Sequence, residues 1–542
     1  MGLCSLGLIG SPLSAAEPLH QQIDKLIAAK TPGYEKLAAP LTTDEEFVRR
    51  VALDLTGMIP TAKEVRAFVA DKSSGKRTKL IDRLLNTPEY ARHMQRLFDV
   101  MLMRRLPQKN VPNTEWEKYL RDSFAANKPY DKLVREILSN DGTDLKNRAP
   151  AKFYLDRNGN VDDLTKDIAR IFLGADLECA QCHNHPEIED YKQEFYYGLS
   201  AFLVRSYVFT DRKKKKAILA EKAIGEVKFE SVFDIRDKKS KGPKSTLPKV
   251  FGLTTSAEPK FKKGQEYKVK PTKAAGGVPK YSRRSLLPEL VTSSNNERFA
   301  RTAVNRLWAT FLGRGLVHPL DRDHSGNPPS HPKLLKLLTD EFRAHGHDIK
   351  WLVRELMLSK TYQRSSRLKK GATPQPEETF TQAILRPLTP AQFAWSVLQA
   401  TGTTDIHRKS LGAKATEELL HKRLVGYENR FVALFGGRPG QPPESFQSTV
   451  DQVLFLSNDP MFNRLIAPQT GNLADRLAKL PANQPEKIAE ELFLSVLSRS
   501  ATKQDVADVA SYLKNVDKKK RPAAIQELIW AVVTSSEFRF NH

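Results

Sequence analysis

The sequence predicts a mainly α protein: two helical domains joined by a basic, partly β insertion. Three observations lead there. Apolar residues recur at spacings of three and four through residues 19–202 and again through 285–542, the period of a helix with one buried face. Residues 211–284 break that period with alternating apolar positions and frequent Pro and Gly. The same segment holds 22 Lys and Arg against 8 Asp and Glu, more than half of the chain's net charge of +24. The expected division is a signal peptide over 1–16, a helical domain over 17–205, the insertion over 206–284 and a second helical domain over 285–542. A length of 542 residues accommodates these at about 150 residues per domain.

The elements follow in order. Residues 3–13 form a short apolar stretch, and Ser14-Ala15-Ala16 places small residues where a signal peptidase cuts, although the usual Lys or Arg at its start is missing. Export, to the periplasm or beyond, is therefore expected. Thr43 and the acids Asp44, Glu45 and Glu46 read as a capped helix start that Gly57 ends. Thr61 caps the next helix, whose Val65, Phe68 and Val69 share a face. Pro88 restarts the chain, and Met94, Leu97, Phe98, Met101 and Leu102 form an apolar stripe. Asp162 and Asp163 begin a helix that runs toward Cys179. In the insertion, Val227, Phe229 and Val232-Phe233 read as short strands. Beyond it, Phe299, Val304, Leu307, Trp308 and Phe311 mark one helix and Gly313 its stop. Ser330 reads as the cap of a helix opening at Pro332. Residues 367–378 read as a surface linker, Thr389-Pro390 as a helix start, and residues 435–443 as a Gly/Pro loop.

The chemistry concentrates in Cys179-Ala180-Gln181-Cys182-His183, the C-x-x-C-H signature of c-type haem attachment. Two thiols three positions apart add to the two vinyl groups of the porphyrin, and the adjacent imidazole faces the iron. The chain has three cysteines, and the third, Cys4, lies in the expected signal segment. On this reading Cys179, Cys182 and His183 bind the cofactor. A zinc site from Cys179, Cys182, His183 and His185 satisfies a tetrahedral donor set, although ligands at adjacent positions strain it. A redox disulfide between the two cysteines is a further alternative. The acids Glu187, Glu189 and Asp190 either orient a histidine or form a solvated helix start.

Other classes leave less trace. No apolar run reaches the length of about 18 residues needed to span a membrane. No G-x-S-x-G, H-E-x-x-H or phosphate-cradling Gly loop is present. Paired carboxylates for glycoside cleavage leave no sequence spacing to read. The basic insertion is either a solvated face or a surface for an anionic partner, such as a redox protein or an acidic polysaccharide. Nucleic acid is disfavoured, because no known module appears and few aromatics lie between the basic residues.

Longer motifs carry a resemblance. Residues from about 20 to 205 resemble the planctomycete cytochrome-c-like domain through Arg49-Arg50, Leu53-Asp54-Leu55-Thr56-Gly57 and Pro60-Thr61, through Asn127-Lys128-Pro129-Tyr130-Asp131, and above all through Cys179 to Pro186. Residues from about 283 onward resemble the C-terminal domain that accompanies it. The carriers there are Asn305-Arg306-Leu307-Trp308, Gly313-Arg314-Gly315-Leu316-Val317, Pro328-Pro329-Ser330-His331-Pro332, Ser359-Lys360-Thr361-Tyr362-Gln363-Arg364-Ser365-Ser366 and the ending Ser535 to His542. The resemblance implies an exported protein with a haem c, and an architecture rather than an activity. The chain departs from it at residues 98–105, where relatives carry a Trp-rich stretch. A low-spin iron needs a sixth ligand, and His185 lies too close in sequence to reach the opposite face. The candidates are His331, Met94, Met101 and Met103. His331 is preferred for the Pro-flanked turn that the resemblance also marks; the bland alternative is a packed helix-start residue.

Overall fold

In the computed structural model, residues 17–211, 215–439 and 449–542 are described. The expected signal segment, part of the Lys213–Lys216 run and positions 440–443 of the Gly/Pro loop lie outside them. The protein is mainly α: among the described residues 27 α-helices are joined by loops, and the strands form four separate antiparallel pairs. Three of these pairs fall in the basic segment and its borders: Ser206–Asp211 with Lys216–Glu221, Lys249–Val250 with Leu253–Thr254, and Tyr267–Val269 with Val278–Pro279. The fourth joins Arg386–Pro387 to Phe540–Asn541 at the chain's end.

Helix starts follow side-chain chemistry. Thr43 accepts from Glu46 N ahead of helix Asp44–Thr56, and Gly57 ends that helix in the left-handed region at φ 74°. Thr61 and Glu64 close a capping box before Ala62–Ala70, as do Thr389 and Gln392 before Pro390–Ala400. Two expectations are corrected. The helix Pro332–Ala344 is capped at His331 with no side-chain bond, because Ser330 Oγ turns to His331 Nδ1 instead. Val232-Phe233 lies not in a strand but in the short helix Val232–Arg236; of the positions read as alternating there, Phe229 makes a single bridge, to Lys244.

Two apolar cores result. One draws on residues 19–219, adds Val250, takes in 287–380 and closes with Leu494, so helices on both sides of the basic segment share it. Tyr130 stacked on Phe299 at 5.1 Å is one such contact. The second core is built from residues 388–538 and receives Leu53 and Ile59 from the N-terminal region. Trp116 and Trp308, essentially without exposure, each contribute a few kcal/mol, about 25 cal/mol per Å² removed from water.

A buried polar knot holds the two cores together. Arg49 and Arg50 are 1% and 3% exposed, so their donors need protein acceptors. Arg49 donates to the carbonyls of Val496 and Phe538, and Arg50 to those of Tyr362, Arg364 and His542. Asp54 accepts from Tyr362 Oη at 2.8 Å, Asn541 Nδ2 at 2.8 Å and both of its oxygens from Arg386. Motifs separated by more than 300 residues thus meet as structural staples. Asn305 serves similarly, pairing its amide with both backbone groups of Val317.

Candidate functional site at the cysteine loop

The cysteine loop is set up by the helix Val161–Leu173, which ends at Gly174 with φ 62°. A Cβ at Gly174 would come 2.9 Å from Thr302 Oγ1, so the turn is reserved for glycine on two counts. The chain then pairs briefly with residues 321–323: Asp323 N donates to Gly174 O, and Asp176 N to Asp321 O. Arg301 locks that segment with a bidentate contact to Asp323. The motif follows in its own turn, not at the helix end.

That turn is short and helical. Cys179–Gln181 is a 3-10 segment, Cys182 N and His183 N both donate to Cys179 O, and Cys182 keeps helical dihedrals. In a 3-10 turn the side chains at i and i+3 eclipse, which sets Cys179 and Cys182 on one side, with His183 directly after them. Ala180, fully buried, anchors the opposite side. Both thiols are exposed and unpaired.

The two histidines differ in the lone pair they present. His183 Nδ1 lies 2.6 Å from the carbonyl of Asn184. A carbonyl only accepts, so Nδ1 carries the proton and Nε2 keeps its lone pair. His185 is the reverse: its Nδ1 accepts from the backbone N–H groups of Glu187 and Ile188, which puts its proton on Nε2. His183 is therefore ready to ligate a metal, and neutral His185 is not. Among the described residues, no three His, Cys, Asp or Glu side chains form a group that could hold a metal ion.

Around the loop, Tyr197 Oη and Gln193 Nε2 donate to Gln181 O, and Val232 N donates to Cys182 O at 3.0 Å. Phe233 packs on the His183 ring, centroids 4.4 Å apart. Asp190 accepts from the backbone N–H and the hydroxyl of Ser325, so it ties the loop to the 321–325 segment and orients no histidine. His185 packs edge-on to Tyr191, which in turn meets His324. Burial is the main cause that lowers the His324 pKa. Asp321, Asp323, His324 and Ser325 are neighbours that sequence reasoning missed; their polar, Gly-containing stretch has no spacing that marks a site.

The remote candidates sit elsewhere. His331, 4% exposed, lies against Phe380 at the start of its helix, with Nε2 buried and unpartnered. Burial, with Lys30 nearby, pushes its pKa down to about 4. Met94 and Met103 are buried in the first core and Met101 packs against it; Met103 Sδ accepts from Arg157. The structure places Cys179, Cys182, His183 and His185 on one loop, buries His331, Met94 and Met103, and leaves Met101 half-buried against the first core.

Residues 22–207 match the family model PSCyt2, described as a protein of unknown function (DUF1549), and residues 283–513 match PSD1, likewise a protein of unknown function (DUF1553). The chain carries this two-family pairing, with the basic segment between the matches. No curated protein and no solved structure matches the chain.

Proposed function

We propose that this chain is an exported c-type haem protein that transfers electrons or performs haem-dependent redox chemistry. One observation carries the reading: a single helical turn presents two exposed, unpaired thiols and an imidazole whose Nε2 lone pair is free. The donor set fits the group. Cys179 and Cys182 would hold it covalently, and His183 would face its iron, with the Asn184 carbonyl fixing the tautomer. The haem, when bound, supplies one-electron chemistry. His331 is buried with its Nε2 unpartnered, Met94 and Met103 are buried in the first core, and Met101 packs against it; none lies on the cysteine loop.

The basic segment supports an anionic partner, either a redox protein or an acidic polysaccharide. Its inner acids are consumed locally: Glu226 and Glu258 pair with the buried Arg205 and Arg283. Lys222, Lys228, Lys238, Lys241, Lys262 and Lys270 remain exposed. Among the described residues no helix is long and apolar enough to cross a membrane.

The test is production of the full chain with haem-maturation machinery. A Soret band that survives acid-acetone extraction is expected, and the double variant Cys179→Ala/Cys182→Ala should lose it. A colourless wild-type product sinks the proposal. Zinc at about one per chain in that product would favour the rival reading, a zinc-stabilised scaffold or binding protein.

A further inference from the structure

We infer that the short helix Val232–Arg236, supplied by the basic segment outside both family matches, is the apolar wall against which the haem packs. The inference rests on the haem reading above and adds the surface that shields the group. This helix buries none of its residues, and Val232, Phe233 and Ile235 are 45%, 40% and 54% exposed. A one-turn helix has no stability of its own in water, so something must hold it.

What holds it is the cysteine loop. Val232 N donates to Cys182 O, and the Gln193 amide bridges Gln181 O and Glu230 O. Phe229, just ahead, stacks on Tyr197 at 4.6 Å and 8°, while Tyr197 Oη holds Gln181 O. Phe233 lies against a face of the His183 ring and under the Arg236 guanidinium. The Nε2 lone pair lies in the ring plane, so a contact on the ring face leaves it open.

The occupant follows from chemistry. Phe233 stands against the imidazole beside the two thiols, and Val232 and Ile235 are unburied on the same helical turn. Residues 232–244 also carry five basic side chains against two acidic ones. A porphyrin is flat and apolar with two carboxylates on one edge, and complements both features. A purely solvated basic loop would have no reason to fold apolar side chains onto the motif.

The experiment compares full-length apo and haem-loaded protein by amide hydrogen exchange. Attachment should slow exchange over residues 229–239 by about ten-fold or more. The variant Val232→Ser/Ile235→Ser changes only exposed positions; it should keep covalent haem but lose that protection and show a lower midpoint potential as the haem meets water. Covalent haem with unchanged exchange over 229–239, or a variant with wild-type protection and potential, overturns this inference alone. A wild-type chain without covalent haem overturns the haem reading and this inference with it.

Discussion

His93 shows how one residue couples the fold to pH. It is 3% exposed on the helix Pro88–Met103, against the turn made by Gly57, where a Cβ would come 2.6 Å from its Nδ1. Burial, then Arg96 and Arg386, pushes its pKa down to about 3 against the opposing pull of Glu428. The unfolded chain therefore binds a proton near pH 6.5 that the folded chain refuses until near pH 3. Stability from this group is fully present above about pH 6.5 and is lost as pH falls toward 3, up to roughly 5 kcal/mol. Burial lowers His331 and His542 to about 4, in the same direction. The urea midpoint should fall between pH 6.5 and 4, and His93→Gln should flatten that dependence even if it lowers the midpoint overall. A His93→Gln variant with the wild-type slope would remove His93 from the account.

At the scale of elements, ionic staples join helices that neither core ties directly. The helix Pro88–Met103 meets the helix Glu417–Phe435 through two bidentate pairs, Arg92 with Glu417 and Arg96 with Glu428. Glu428 also accepts from Trp395 Nε1 at 2.7 Å. The Arg96 and Glu428 side chains are 13% and 11% exposed, too buried for water to replace a lost partner. Removing one member strands the other, which costs about 3–5 kcal/mol, whereas replacing both with apolar groups costs much less. Chemical denaturation should show Glu428→Ala strongly destabilised and Arg96→Met/Glu428→Leu recovering most of the loss. Equal losses in both variants would mean that the pair acts through packing and not through charge.

At the scale of the molecule, the first core crosses the basic segment. Tyr130 packs on both Phe299 and Phe342, and the Asp54 knot reaches Tyr362, Arg386 and Asn541. The exposed lysines at 238, 239 and 241 offer a place to cut without touching either core. Protein nicked there by trypsin should elute as one particle of unchanged size, and its two fragments should separate only in denaturant. Fragments that part under native conditions would show the shared core to be too weak to hold them.

The helical class was legible because its signal is local. Thr43, Thr61 and Thr389 cap helices through bonds to residues three positions on, and apolar faces repeat within a few turns. The C-x-x-C-H pentapeptide was legible for the same reason, since five consecutive residues carry its spacing. Val232-Phe233 was misread because two apolar neighbours in a polar loop fit a strand or a single helical turn equally well, and the contact with Cys182 O accompanies the helix. The sequence by itself determined the mainly α class and caps such as Thr43, Thr61 and Thr389. Only the tertiary structure decided that Arg50 and Asp54 are staples, that Asp190 binds Ser325, and that His183 rather than His185 keeps its lone pair free. Each of those depends on which distant or backbone group lies opposite a polar atom, and no periodicity along the chain encodes that.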